Sequence, residues 1–142
     1  MTLHDEYNFT YNLTISVANI NDSFNTHIDY YILFISISTV APTVSVSDAT
    51  FEKNEPTRTV TCVPVGNPQS YTFYKWQHRS KYGVLIRELD GGQNGVLTLP
   101  SIPVENRYQD SGEYVCTADN GIVGRDGRIK QTGSGYVIIN GM

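Results

Sequence analysis

The side chains that could do chemistry are scattered through this sequence of 142 residues. The three histidines are His4, His27 and His78, and no two of them are close in sequence. Ser111 has no identifiable neighbouring base, and catalysis requires titratable groups that converge on one place. The glycine-rich stretches lack the lysine and the strand-to-helix context of a phosphate-binding loop. We therefore predict that the chain is not an enzyme and uses no cofactor.

The two cysteines, Cys62 and Cys116, are 54 positions apart. By themselves they are compatible with a disulfide or with two buried thiols, because free cysteine is a common core residue. The sequence has no CxxC pair and no close cluster of cysteine and histidine. We therefore predict no metal site.

The elements that must position these residues are short strands. Runs of alternating polar and apolar residues recur about every ten residues, with turn signals between them. Ten tyrosines and twelve glycines also favour strands and turns over helices. This series is typical of a β-sandwich or barrel. The predicted strands cover residues 44–47, 57–65, 71–78, 83–89, 96–99, 113–119 and 136–140.

One combination of residues points to a family. Cys62 and Trp76 are followed by the run Asp110-Ser111-Gly112-Glu113-Tyr114-Val115-Cys116. This combination resembles the immunoglobulin superfamily, whose strand F begins with the pattern Asp-x-Gly-x-Tyr-x-Cys. The resemblance covers residues 41–142 and implies an all-β, immunoglobulin-like Greek-key sandwich of two antiparallel sheets. It also implies a Cys62–Cys116 disulfide between the sheets, with Trp76 packed against the sulfur atoms.

The resemblance assigns further roles to the same signature. Tyr114 would form a tyrosine corner, with its hydroxyl bonded back to the backbone. Gly112 would allow the tight turn into the strand. Asp110 would pair with an arginine across the base of the sandwich, and Arg87 is a candidate for that partner. The short stretch between Trp76 and the strand at residues 96–99 implies a C2-like or intermediate type rather than a complete variable-type domain.

Residues 1–40 differ in charge from the rest of the chain. They hold four acidic residues and no lysine or arginine, whereas residues 41–142 hold ten residues of each sign. A shift that places Tyr30 on Tyr114 also places Ile32 on Cys116 and keeps the apolar register. We therefore predict that residues 1–40 are the trailing fragment of a preceding immunoglobulin-like domain without a cysteine pair. Because half a sandwich cannot bury its own face, this segment should be disordered, packed on something, or prone to pairing.

Three glycosylation sequons, at Asn8, Asn12 and Asn21, all lie in residues 1–40. Beside a disulfide-type domain they favour a secreted or cell-surface location, although polar strand faces would have the same composition. No run reaches the roughly 20 apolar residues of a membrane span. The N-terminus lacks the features of a signal peptide, so a secreted chain would be a fragment. With a net charge of −4 and no basic excess, nucleic acid is not an expected partner.

Tyr71, Phe73 and Gln77 are the first candidate binding residues. Strand alternation predicts that they point away from Trp76, towards solvent or a partner. The alternative is that the next predicted strand, at residues 83–89, or residues 1–40 cover them.

A second candidate region is the glycine-rich link from residue 120 to residue 135, which contains Arg125, Arg128 and Lys130. The resemblance implies that such a loop contacts ligands, and the alternative is a flexible solvated hairpin. The Asp126-Gly127 pair is a hairpin signal. We also identify Gly133-Ser134-Gly135 as a candidate bulge in the last strand.

The function that the resemblance implies is recognition or adhesion. The chain would be part of an extracellular ectodomain with several immunoglobulin-like domains, and it would bind a protein, a glycan or a second copy of itself. One alternative is an intracellular structural module of a filament or scaffold protein, with reduced thiols. A second alternative is a non-catalytic module of a receptor enzyme.

Overall fold

The structure is a computed structural model that describes residues 10–18 and 30–141, with side chains from residue 38 onwards. The described part is built from strands and one short 3₁₀ helix, Val104–Asp110. The strands are β1 Thr10–Ala18, β2 Tyr30–Ser38, β3 Val40–Val46, β4 Ala49–Glu52, β5 Thr59–Asn67, β6 Thr72–Phe73, β7 Trp76–Arg79, β8 Leu85–Leu89, β9 Val96–Thr98, β10 Gly112–Asp119 and β11 Gln131–Asn140.

Two sheets form the body of the fold. The smaller sheet has the order β3-β5-β9. The larger one has the order β4-β11-β10-β7-β8, and β6 pairs with the end of β10 beside β7. The larger sheet is not purely antiparallel as predicted, because β4 runs parallel to β11. The chain crosses from β3 to β4 within residues 47–48, which leaves no room for a reversal of direction.

The core lies between the two sheets, and strand alternation decides which side chains enter it. In β5 Val60 and Cys62 are buried while their neighbours are exposed, and in β10 Tyr114, Cys116 and Ala118 are buried. The predicted disulfide is confirmed: Cys62 and Cys116 are bonded across the core, with their Cα atoms 6.1 Å apart. The other main members of the core are Val44, Trp76, Leu97, Leu99, Val137 and Ile139. The predicted all-β, immunoglobulin-like sandwich is therefore confirmed.

The predicted long strand at residues 71–78 is wrong. It is two short strands, β6 and β7, separated by Tyr74 and Lys75. The backbone of Tyr74 still donates a hydrogen bond to the carbonyl oxygen of Thr117, at 3.0 Å. Because the strand is interrupted, the alternation of side chains on the two faces cannot be extended from Trp76 back to residue 71.

The predicted bulge at Gly133 and Gly135 is also wrong. The pairing of β10 with β11 runs without a register shift from Gly112 to Ala118. The glycines instead let the two sheets approach each other closely. A Cβ atom on Gly133 would lie 2.1 Å from the carbonyl oxygen of Val44, and one on Gly135 would lie 2.7 Å from that of Val46.

This close approach predicts the effect of adding a single methyl group. We expect Gly133→Ala to lower the free energy of unfolding by about 1 to 3 kcal/mol, because backbone atoms of β3 would have to move. The matched control is Ser134→Ala on the exposed side of the same strand, which should change stability little. Urea denaturation midpoints compare the two variants. Equal midpoints would contradict the account of these glycines.

In the N-terminal segment, β1 and β2 form an antiparallel hairpin that pairs Thr10 with Ser38 and Ala18 with Tyr30. The shift used in the repeat prediction aligns them with β9 and β10, which belong to different sheets. Asn12 lies in β1, while Asn8 and Asn21 lie outside the described residues. That residues 1–40 are the trailing part of a preceding domain stays a prediction.

Candidate binding surface and its buried support

A buried carboxylate organises the base of the sandwich. Asp110, the last residue of the 3₁₀ helix, is fully buried between two arginines. Its Oδ2 accepts a hydrogen bond from Arg58 Nη2 and its Oδ1 accepts one from Arg87 Nη2, both at 2.7 Å. Arg87 is the partner that the sequence offered, whereas Arg58 was missed. Its position directly before β5 was the available signal.

Arg58 is only 1% exposed, and it donates hydrogen bonds to other groups besides the Asp110 carboxylate. Its Nη2 also donates to the carbonyl oxygen of Pro100 at 2.9 Å. Arg107, buried in the 3₁₀ helix, donates to the carbonyl oxygens of Lys53 and Glu55 at 2.8 and 2.7 Å. These two guanidinium groups satisfy loop carbonyls that no strand partner reaches, so the base of the sandwich is held by charge-assisted hydrogen bonds.

The signature residues of β10 surround this network. The Tyr114 hydroxyl donates to the carbonyl oxygen of Asp110 at 2.8 Å, which is the geometry of a tyrosine corner. Burial raises the pKa of Tyr114 to about 12. Gly112 has φ +146°, and a Cβ atom there would lie 2.5 Å from the carbonyl oxygen of Arg79. Trp76 is buried beside Gly91, where a Cβ atom would lie 2.5 Å from the indole Nε1.

His78 belongs to the same buried cluster, and both of its ring nitrogens are hydrogen-bonded. Its ring stacks on Tyr114 with centroids 4.4 Å apart. Its Nδ1 accepts a hydrogen bond from Arg87 Nε at 3.1 Å, so the proton is on Nε2, which donates to the carbonyl oxygen of Ser111 at 3.0 Å. Burial lowers the pKa of His78, and the nearby charge of Arg87 lowers it further. The ring is therefore neutral in the folded protein near pH 7.

This lowered pKa predicts a pH dependence of stability. Below about pH 6.5 an unfolded histidine takes up a proton. The folded state does not, so the free energy of unfolding should fall as the pH drops below that value. Urea denaturation at pH 7.5 and at pH 5.5 measures the loss. In His78→Gln the loss between these two pH values should be smaller, and an unchanged loss would contradict the role given to His78.

The outer face of the larger sheet carries mixed side chains. Glu113, Val115 and Thr117 of β10 alternate with the core residues and face away from them, and so do Gln77 and Arg79 of β7. Val115 is nevertheless buried, and the other four are half-buried. Gln77 Oε1 accepts a hydrogen bond from Arg79 Nε at 3.1 Å. Gln77 thus lies on this face, half-buried and bonded to its neighbour on the same strand.

The predicted outward position of Phe73 is wrong. Phe73 pairs with Ala118 and packs against the core, and its ring would contact a Cβ atom on Gly95 at 2.9 Å. The break at Tyr74 and Lys75 causes this change, because the alternation starts again on the other side of it. Thr72 is exposed in place of Phe73.

Tyr71 closes a loop and does not offer a free contact surface. The backbone N–H of Gly66 donates to the Tyr71 hydroxyl at 2.8 Å, and the hydroxyl lies 3.2 Å from the carbonyl oxygen of the same glycine. Its ring is half-buried. A role for Tyr71 in binding stays a prediction.

The link between β10 and β11 is a structured hairpin over residues 120–130, shorter than predicted because β11 already begins at Gln131. At its tip the backbone N–H of Gly124 donates to the carbonyl oxygen of Arg128 at 2.7 Å, and Gly127 adopts φ +76°. Asp126 Oδ1 accepts hydrogen bonds from Gln131 Nε2 and from the N–H of Arg128, which lower the pKa of Asp126. We call residues 120–130 the FG hairpin, because β10 corresponds to strand F of the immunoglobulin-like fold and β11 to the strand G that follows it.

The three basic residues of the FG hairpin have different surroundings. Lys130 Nζ lies 4.0 Å from the ring centroid of Tyr74, a cation–π contact. The Tyr74 hydroxyl donates to Asp119, and this hydrogen bond raises the pKa of Tyr74. Arg125 lines an open cleft of about 380 Å³ between the hairpin and the start of β3. The exposed Arg128 side chain has no ion-pair partner among residues 38–141.

Exposed apolar side chains gather at the free edge of the larger sheet. Tyr82 is 81% exposed, Val84 64%, Leu85 50% and Ile86 54%. They form the turn before β8 and the first half of that strand. Large apolar side chains that are adjacent and exposed mark a contact surface more often than single ones do.

Two further properties bear on the class of protein. Within the described residues, no three histidine, cysteine, aspartate or glutamate side chains are grouped so as to hold a metal ion. The same part of the chain contains no helix long and apolar enough to cross a membrane.

Comparisons with known proteins find likeness in structure only. No family model matches the sequence, and no curated protein matches it. The chain is similar to immunoglobulin domains 1–4 of Sidekick-1, with 16% identity and a TM-score of 0.47 over 89% of this chain and 33% of that one. It is similar to titin kinase and its flanking domains, with 17% identity and a TM-score of 0.49 over 81% and 20%. It is also similar to extracellular domains 3–5 of Drosophila OTK, with 18% identity and a TM-score of 0.43 over 92% and 40%.

The chain spans at most 40% of the length of these three structures. Its own geometry defines the fold: an inter-sheet disulfide, a buried tryptophan in the same core and a tyrosine corner. The chain is an immunoglobulin-like module.

Proposed function

We propose that this immunoglobulin-like module is a non-enzymatic recognition unit of an extracellular, multidomain protein. The observation that carries the proposal is the outer face of the larger sheet. At the edges of this sheet the side chains of Tyr136, Ile138, Leu85 and Ile86 are exposed, and between them lie half-buried polar and charged side chains such as Glu113 and Arg79. A rigid sandwich that displays such a face is suited to binding another protein.

The disulfide supports the extracellular location. Disulfides form and persist in oxidising compartments and are rare in the cytosol. Cys62 and Cys116 are the only cysteines of the chain, and both are used in the bond. The sequons at Asn8, Asn12 and Asn21 point to the same secretory route.

The fate of the buried titratable groups argues against catalysis. Asp110, Arg58, Arg87 and His78 are all bonded to one another or to backbone carbonyls at the base of the sandwich. Their charges and protons are taken up in stabilising the fold. The FG hairpin and the sheet face are the surfaces left for binding.

Antibody labelling of a tagged parent protein tests the proposal. We expect label on intact cells, or secreted protein in the medium, and a lower mass after glycosidase treatment. Label that appears only after permeabilisation, with no glycan, would contradict the proposal and favour an intracellular structural module. This readout does not depend on which partner the module binds.

A further inference from the structure

Three asparagines of the sequence are followed directly by glycine. The pairs are Asn94-Gly95, Asn120-Gly121 and Asn140-Gly141, and in each of them the glycine has φ between +76° and +81°. A glycine carries no Cβ atom, so its backbone nitrogen can come closer to the side-chain carbonyl carbon of the preceding residue than that of any other residue can. At such a pair the asparagine amide can react with its own main chain.

The pair Asn94-Gly95 lies exposed in the turn between β8 and β9. Asn94 Oδ1 accepts a hydrogen bond from the backbone N–H of Val96 at 3.2 Å, which folds the side chain back over the Gly95 peptide group as an Asx turn. A donor on this oxygen also stabilises the negative charge that develops there during attack at the amide carbon. Asn94 Nδ2 has no hydrogen-bond partner among residues 38–141, so water can reach the nitrogen that would leave.

The fold requires the glycine of this pair. Gly95 is buried, and a Cβ atom on it would lie 2.8 Å from the carbonyl oxygen of Cys62 and 2.9 Å from the ring of Phe73. The Gly95 carbonyl oxygen accepts a hydrogen bond from the backbone N–H of Cys62 at 2.8 Å. The contact between this turn and β5 therefore keeps a glycine after Asn94, and the reactive pair comes with it.

The pair Asn120-Gly121 supplies an internal comparison. Its asparagine forms the same Asx turn, because Oδ1 accepts a hydrogen bond from the backbone N–H of Ile122 at 3.2 Å. Asn120 is only 9% exposed, however, and its Nδ2 donates to the carbonyl oxygens of Val40 and Pro68 at 2.8 and 3.0 Å. The glycine N–H donates to Asp119 Oδ1 at 3.0 Å. Both nitrogens that would take part in a reaction are therefore held in place.

We propose that Asn94 is a site of spontaneous deamidation. The Gly95 nitrogen forms a bond to Cγ of Asn94, the bond from Cγ to Nδ2 breaks, and ammonia leaves. One proton passes through water from the attacking nitrogen to the leaving one, so the step needs no other reactant. Water then opens the cyclic imide at one of its two carbonyl carbons. One opening gives aspartate, and the other gives isoaspartate, in which the main chain runs through the former side chain.

The modification alters a turn that supports the disulfide. Gly92 N–H donates to the carbonyl oxygen of Val96 at 3.1 Å across this turn, and the bond from Cys62 to Gly95 joins the turn to β5. Isoaspartate lengthens the main chain by one carbon between these bonds, so they cannot all be kept. Aspartate keeps the length of the main chain and adds only a negative charge. Molecules with isoaspartate should therefore unfold at a lower urea concentration than Asn94→Asp does.

Peptide mapping by mass spectrometry tests the proposal on the folded, oxidised chain after incubation for weeks at neutral pH and body temperature. The peptide with Asn94 should gain the mass difference between NH₂ and OH and give two isomeric products. Deamidation at Asn94 should be about tenfold or more faster than at Asn120, because two hydrogen bonds to Asn120 Nδ2 must break first. The control Asn94→Gln keeps an amide but requires a larger ring, and it should stay unmodified at position 94.

The same chain, reduced and unfolded in urea, separates the effect of the fold from that of the local sequence. Without the folded contacts, Asn94 and Asn120 should react at similar rates, because each is followed by glycine. An Asn94 that stays intact in the folded chain, or that reacts no faster there than Asn120, would overturn the proposal. A difference between the two that is just as large in urea would overturn its structural cause.

Discussion

Asp110→Asn should lower the free energy of unfolding by about 3 to 5 kcal/mol. The amide has nearly the shape of the carboxylate but no charge, so Arg58 and Arg87 would keep their positive charges without a counter-ion. Arg58 cannot escape to solvent, because it is 1% exposed. The unpaired buried charge, rather than a lost contact, is the source of the large effect.

The control for this variant is the same substitution at an exposed ion pair. Asp90 lies 3.9 Å from Lys75, and its side chain is 84% exposed. Because surface ion pairs contribute little, Asp90→Asn should leave the denaturation midpoint almost unchanged. Similar midpoints for the two variants in urea would show that the Asp110 network does not stabilise the fold.

The second large effect is expected from removal of the disulfide. The Cys62→Ala, Cys116→Ala double variant should lose about 4 kcal/mol, because the bond closes a long loop in the unfolded chain. The loop spans 54 positions. Small domains are stable by only about 5 to 15 kcal/mol, so the double variant should unfold at a much lower urea concentration.

A control for the double variant replaces two other small side chains by alanine and leaves the disulfide in place. Ser45→Ala combined with Ser134→Ala changes one exposed residue in each sheet. It should unfold close to the wild-type midpoint. If the cysteine variant also did so, the bond would not be a main source of stability.

The sequence was sufficient for the features that depend on strand alternation. Cys62, Trp76, Tyr114 and Cys116 enter the core because each lies on the buried side of a regular strand. The alternation gives the correct side wherever the strand is unbroken. Phe73 was placed on the wrong side because Tyr74 and Lys75 separate β6 from β7, and Phe73 pairs with Ala118 of the distant β10.

The contacts that were missed join residues far apart in the chain. Arg58 and Asp110 are 52 positions apart, and the alternation that puts Arg58 on the side of Val60 and Cys62 does not identify Asp110 as its partner. Gly133 has no unusual φ that a turn pattern would reveal, and its role appears only when β3 packs across it. The FG hairpin was recognised from Asp126-Gly127, but the contact of Lys130 with Tyr74 joins residues that are far apart in the chain.

The central claim is that this module is held together by a bond between its two sheets in an oxidising compartment. The direct measurement is thiol labelling of the parent protein, taken from the cells that make it and denatured in the presence of the label. The account predicts that Cys62 and Cys116 stay unlabelled until a reductant is added, and that one peptide pair links them before reduction. Labelling of both cysteines without a reductant would contradict it.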